Sequence, residues 1–216
     1  MRKVILCFGD SNTWGYNPQN GERFGPEIRW PGVLQAELDT NYSIIEEGLN
    51  ARTTVFTDSV EGAVIDRNGN HHLTILLESH RPIDLVAVML GLNDLKYRFA
   101  ASAFDIAQGA GELVQMVQRS RSGPRNESPE VLLIAPPPVK KLGILDELFA
   151  GAIEKSERFG KLYSWVSQRL GCEFVNAGEI VEYDLADGIH LGATGHVAFG
   201  RYLASWLRSH FEGARS

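Results

Sequence analysis

Apolar positions follow two rhythms along this chain. Five short runs rich in β-branched and apolar side chains predict strands: Lys3 to Phe8, Tyr42 to Glu46, Asp84 to Leu90, Val131 to Ala135 and Glu173 to Asn176. Some are nearly continuous, as in Leu85 to Leu90, which suits strands buried on both faces of a parallel sheet. Between them Ala103, Ile106, Ala107, Ala110, Leu113, Val114 and Val117 recur at steps of three and four. A second such stripe joins Leu145, Leu148, Phe149, Ala152, Phe159, Leu162, Tyr163, Val166 and Leu170. A last helix is expected from about Thr194 to Phe211, with Phe199, Leu203 and Leu207 inward, and shorter ones near Pro31 to Leu38 and Leu73 to Ser79. Strands alternating with helices imply right-handed βαβ units. The expected fold is a three-layer α/β/α sandwich around a five-stranded, mostly parallel, flavodoxin-like sheet.

Two stretches break the pattern: Asn50 to His72, and Ser120 to Glu130. Long loops in a compact domain often serve as functional walls or lids. The first follows the second strand and is expected on the ligand side of the sheet. The second precedes the fourth strand and is expected on the opposite side. Neither reads as a linker, and no internal repeat is seen, so residues 1–216 are expected to form one domain.

Composition narrows the function classes. Apolar residues make up 44% and charged residues 22%, which argues against a disordered or coiled-coil chain. With a formal charge of −6 and no dense Lys/Arg stripe, binding to a phosphate backbone lacks its driving force. The apolar run after Met1 is too short for a secretory signal, and no stretch reaches the ~18 apolar residues of a membrane helix. A cytoplasmic location without nucleic-acid or membrane partners is expected. Cys7 and Cys172 show no CxxC spacing and read as reduced, buried small hydrophobes.

In a parallel sheet, the loops leaving the strands' C-terminal ends share one rim, where ligands bind. Gly9-Asp10-Ser11-Asn12-Thr13 follows the first predicted strand, Glu47 to Arg52 the second, Gly91-Leu92-Asn93-Asp94 the third, and a segment with Asp184, Asp187 and His190 the fifth. A hydroxyl nucleophile needs a base, a group to orient that base, and donors for the oxyanion. This rim offers each. Ser11 stands where a strand turns toward a helix, beside amides and a dipole that favour negative charge. The plainer reading is an N-cap serine. In Asp187-Gly188-Ile189-His190, a turn at Asp-Gly would fold the carboxylate onto the imidazole. Asp184 is the alternative carboxylate, and a solvated loop histidine the plainer reading. His196, inside the last helical segment, is expected to be structural. Asn93 offers an amide donor or simply forms a turn, and Asp10 is expected to bond loop amides without touching substrate.

Taken together, Gly9-Asp10-Ser11, Gly91-Leu92-Asn93-Asp94 and Asp187-Gly188-Ile189-His190 resemble the block motifs of SGNH (GDSL) hydrolases in order and spacing. Cys7 to Gly15, Arg29-Trp30, Glu46 to Thr54, Met89-Leu90-Gly91 and Pro136-Pro137-Pro138 are further similar to the branch of bacterial aryl esterases with acyltransferase and perhydrolase activity, over nearly the whole chain. The resemblance implies a serine esterase that acts on short-chain acyl or aryl esters through an acyl-Ser11 intermediate. In it His190 is the general base and Asp187 orients it. The backbone amides of Ser11 and Ala51 and the side chain of Asn93 form the oxyanion hole. No cofactor or metal is required, and transfer of the acyl group to an alcohol or peroxide competes with hydrolysis. The narrow apolar site of that branch points to Trp14, Tyr16, Phe149 and Pro136 to Pro138 as substrate-binding walls. Multimers among related acyltransferases point to a homo-oligomer. Two positions depart from the pattern. Ala51 stands where much of the family has Gly, though only its amide is needed. Asn12 replaces the Leu of the GDSL form and is expected to make the pocket mouth more polar.

Other readings have less support. A carbohydrate acetyl esterase would share the fold and the serine chemistry. A flavodoxin-like receiver module would want clustered acids after the first strand and a Lys after the fifth, where Asp10 alone and Asn176-Ala177-Gly178 stand. There is no G-x-G-x-x-G after a strand and no G-x-S-x-G elbow, and His71, His72 and His80 lack the spacing of zinc ligands.

Overall fold

Five parallel strands form one sheet in the computed structural model, which describes residues 2–213. They are β1 (Lys3–Gly9), β2 (Tyr42–Gly48), β3 (Leu85–Met89), β4 (Glu130–Ala135) and β5 (Glu173–Asn176), in the order β2-β1-β3-β4-β5. Leu6 of β1 pairs with Ile45 on one side and Val86 on the other, and β3 is buried along its whole length. The expected α/β sandwich with a flavodoxin-like parallel sheet is therefore what forms.

Helices cover both faces: α1 (Ser11–Trp14), α2 (Trp30–Glu37), α3 (Gly69–His80), α4 (Ala103–Arg119), α5 (Ala152–Ser156), α6 (Phe159–Leu170) and α7 (Ala193–Gly213). One face carries α2 packed on α7, and the other carries α3, α4 and α6 side by side. The α4 stripe is buried at each apolar position expected from its spacing. Its start is set by a capping box, in which the Ser102 hydroxyl accepts from the Asp105 amide and the Asp105 carboxylate accepts from the Ser102 amide.

The second helical stripe, from Leu145 to Leu170, is not one helix. A 3-10 turn covers Gly143–Leu145, Gly151 takes a left-handed conformation (φ +75°), α5 spans only Ala152–Ser156, and α6 begins at Phe159. The Val139 amide donates to the Ser156 hydroxyl, tying α5 to the loop that leaves β4. Folded in this way, the segment passes over the C-terminal end of β4 and brings Leu142, Leu145, Leu148 and Phe149 to the rim.

The strand order reverses between β1 and β3, so the loops that follow them diverge and open a cleft. Of the stretch from Asn50 to His72, Asn50, Ala51 and Glu61 line that cleft, as a place after β2 predicts, while its last four residues already belong to α3. Ser128, Pro129 and Glu130 line a separate hollow with Gly171 to Glu173, at the start of β4 and β5 and so at the far end of the sheet. No helix among the described residues is long and apolar enough to cross a membrane. Cys7 and Cys172 are both free, Cys7 fully buried and Cys172 half-buried.

Candidate active site

The loop after β1 is built for close approach. A Cβ on Gly9 would lie 2.0 Å from Thr13 Oγ1 and 3.0 Å from the Met89 carbonyl, so only glycine lets the chain turn back here. The Asp10 carboxylate then accepts from the Asn12 amide and caps α1. That helix is only four residues long, so the dipole expected to favour an anion at Ser11 is small. Ser11 ends up on the cleft floor at 5% exposure.

The turn before α7 supplies a histidine. Gly188 is left-handed (φ +78°), and the chain folds back so that Asp187 Oδ1 accepts from the amides of Ile189 and His190, each at 3.0 Å. Asp187 Oδ2 lies 2.7 Å from His190 Nδ1, and His190 Nε2 lies 2.8 Å from Ser11 Oγ. Burial pushes the Asp187 carboxyl up, but the bonds from His190 and the two amides outweigh it and hold the group below the usual carboxylate range. The alternative carboxylate, Asp184, turns away: its Oδ1 accepts from the Ala186 amide, and only its backbone N–H meets the His190 carbonyl. Tyr16 packs its ring on the imidazole at 4.3 Å. His196 is fully buried between Trp30 and Phe24, where burial drives it down to about 3 and keeps it neutral.

Facing these groups are the turn after β2 and the loop after β3. The Arg52 amide donates to the Leu49 carbonyl, closing a turn in which Ala51 is left-handed at φ +63°. A non-glycine residue in that conformation costs roughly 1 to 2 kcal/mol. A glycine here would avoid that cost, which a view of the amide alone leaves out. Asn93, 6% exposed, donates from Nδ2 to the Arg52 carbonyl at 3.1 Å and lines the cleft beside Ser11 and Ala51. No protein acceptor takes the backbone N–H of Ser11 or Ala51 among the described residues.

Beneath this floor lie two buried acids. Asp94 accepts from the Thr54 amide and hydroxyl, and Asp10 from the Asn12 amide; burial raises each to about 6 despite those bonds. An acid raised above its unfolded value binds its proton preferentially in the folded state. Its contribution to stability is therefore greatest at low pH and declines as pH rises through the window from about 4 to 6. The stability of the native protein relative to Asp94→Asn should accordingly grow as pH is lowered from 7 to 5. Urea midpoints at the two pH values measure this, and a constant difference would refute the raised Asp94.

The cleft encloses about 480 Å³, within the usual range for small-molecule sites. Tyr16 and Phe149, expected as walls, are in its lining. Asn12 and Trp14 are not. The Asn12 side chain is buried and faces inward, donating to the Ile189 carbonyl and accepting from the Leu191 amide, so it pins the histidine loop and adds no polarity to the mouth. Trp14 lies under the Arg23 guanidinium. Pro136 and Pro138 border a different hollow, with Lys161 and Asn176. Sequence reasoning missed one wall altogether. Lys96 is buried and its ammonium lies 2.8 Å from Glu61 Oε2, and both residues line the cleft with Asn50. The only signal for it was the length of the Asn50 to His72 loop.

Comparison with known proteins shows the family and the fold. The profile of the GDSL-like Lipase/Acylhydrolase family matches residues 7–198. The chain belongs to that family. Membership places it among ester-hydrolysing enzymes. Among solved structures, a carbohydrate acetylesterase from Sinorhizobium meliloti shares 38% identity at TM-score 0.90, covering 96% of this chain and 99% of its own. The native aryl esterase of M. smegmatis shares 38% identity at TM-score 0.88, with the same coverage. A lipase/acylhydrolase from Enterococcus faecalis, 19% identical over 97% of each chain at TM-score 0.66, has the same fold. No curated protein sequence matched.

Proposed function

We propose that this GDSL-family member cleaves short-chain acyl and aryl esters by covalent catalysis at Ser11, with His190 as general base and Asp187 as its orienting carboxylate. The observation that carries this reading is the unbroken chain from Ser11 Oγ to His190 to Asp187, with links of 2.8 and 2.7 Å, on the floor of the one cleft that also holds Asn93. Asp187 accepts a hydrogen bond from Nδ1–H, which leaves Nε2 free to take the Ser11 proton as Oγ attacks the ester carbonyl. The amides of Ser11 and Ala51 and Nδ2 of Asn93 receive the oxyanion. Collapse breaks the bond to the alcohol, which leaves with the proton held on His190. Water then attacks the acyl-enzyme, gives its proton to His190, and the acid departs as Ser11 recovers a proton. An alcohol or peroxide in place of water gives acyl transfer.

Asn93→Ala should lower kcat by about 10²- to 10³-fold with little change in KM, because the lost donor meets charge that develops only in the transition state. Steady-state kinetics on an aryl acetate check this, and a KM effect without a kcat effect would reassign Asn93 to substrate binding. The reading as a whole is tested with a fluorophosphonate probe and an aryl acetate. One labelled peptide containing Ser11 and chelator-insensitive turnover are expected; labelling elsewhere would overturn it. Ester formation from a short added alcohol separates a transferase from a plain hydrolase.

A second reading, deacetylation of sugars, is favoured by one specific feature. The cleft has an apolar wall of Leu142, Leu145, Leu148 and Phe149 and a polar wall of Asn50, Glu61 and Lys96, the latter suited to a hydroxyl-rich alcohol. The solved S. meliloti neighbour carries the name carbohydrate acetylesterase. A ratio of kcat/KM values for acetylated sugar over aryl acetate decides between the two. Self-association belongs to the same proposal; light scattering that returns a monomer would remove it. A cytoplasmic location is supported by the two unpaired cysteines.

A further inference from the structure

We propose that Arg52 is the positioning residue of the oxyanion hole, holding its donors in register through its side chain and its backbone together. The proposal rests on the reading of Ser11, Ala51 and Asn93 given above. Arg52 is 4% exposed and is not in the lining of the cleft, an unusual place for a guanidinium. Its Nη1 donates to the carbonyl of Gly9 at 2.8 Å and to that of Glu47, and its guanidinium stacks 4.2 Å from the Phe8 ring centroid. Gly9 ends β1 two residues before Ser11, and Glu47 lies beside Phe8 in the β1–β2 ladder. The side chain therefore stitches together the two strand ends from which the nucleophile and the Ala51 turn emerge.

The backbone of the same residue does the rest. The Arg52 amide closes the turn on Leu49, and its carbonyl accepts from Asn93 Nδ2. One proton of the Asn93 amide is thereby committed, which fixes the direction of the other. Each of the three donors has a short path to Arg52: Ser11 through Gly9, Ala51 through the turn, and Asn93 through the carbonyl. Ala51 would relax from its left-handed conformation if the turn were released. It persists because Arg52 anchors one side and the Thr54 amide, held by Asp94, anchors the next stretch.

Stability alone does not account for this arrangement. Nε of Arg52 has no acceptor among the described residues, and a buried, incompletely paired cation is a poor source of folding energy. Replacing it with an apolar side chain of similar length should therefore spare the fold while loosening the hole.

The test compares Arg52→Met and Arg52→Lys with the native enzyme. Lysine keeps the charge but cannot reproduce the planar fork or the stack on Phe8. Both variants should lose about 10²-fold in kcat on an aryl acetate, as for a catalytic group displaced by about 1 Å, with KM nearly unchanged. Affinity for a trifluoromethyl ketone, which forms the tetrahedral adduct, should fall by a similar factor, while affinity for the product acid should not. Combining Arg52→Met with Asn93→Ala should cost far less than the product of the two single effects, since both act on one hole. Native kcat in both variants would overturn the proposal, as would a kcat loss accompanied by an equal loss of product binding and a large fall in melting temperature. The underlying site assignment fails separately, if Ser11→Ala keeps its activity.

Discussion

Ser11→Ala should reduce aryl acetate hydrolysis by about 10⁴- to 10⁶-fold, the range seen when the nucleophile of a serine triad is removed. The fold should tolerate the change. Ser11 is nearly buried, but among the described residues its hydroxyl bonds only to His190 Nε2, and α1 is capped by Asp10, not by Ser11. His190 keeps its other anchors, Asp187 and the packed Tyr16 ring. A melting temperature within a few degrees of the native value, together with lost activity and lost fluorophosphonate labelling, is the expected result. Retained turnover would mean that another group attacks the ester.

Asp187→Asn is nearly isosteric and should still cost about 10⁴-fold in kcat. The reason lies in the fixed polarity of the turn. One carboxylate oxygen accepts from the amides of Ile189 and His190, so an asparagine must place its own oxygen there. Its NH₂ group then faces His190 Nδ1 at the position of the other oxygen. A donor opposite Nδ1 forces the ring proton onto Nε2, and the imidazole can no longer accept from Ser11. Crystallographic geometry should change little while kcat collapses, and partial recovery at high pH would separate this tautomer defect from misfolding. A loss of tenfold or less would argue that Asp184 or water can orient the ring.

Much of this protein is legible in its sequence because the information is local. A run such as Val86 to Met89 suits a strand buried on both faces, and the α4 stripe fits one helix face, so both elements form where the spacing predicts. Helix ends are less legible: Asp10 caps the helix for which Ser11 is the candidate cap, and the helix expected from Leu73 starts at Gly69, capped by Asn68. The glycine-interrupted stripe from Leu145 to Leu170 shows the limit of such reasoning. Its apolar period continues through a segment whose backbone is bent by Gly151 and by the bond from Val139 to Ser156, neither of which affects the period.

The direction of a side chain is a different kind of information. Asn12 points inward because the carbonyl of Ile189 and the amide of Leu191, almost 180 positions away in the chain, converge on it. The Glu61–Lys96 wall and the contact of Arg52 with Gly9 likewise join segments separated by 35 and 43 positions. The sequence by itself determined the strands, the α4 stripe and the short motif that folds Asp187 onto His190, since each depends on neighbours a few residues apart. Only the tertiary structure decided which groups line the cleft and what braces the oxyanion donors. Those outcomes depend on where strand ends meet in space, and local periodicity carries no record of that distance.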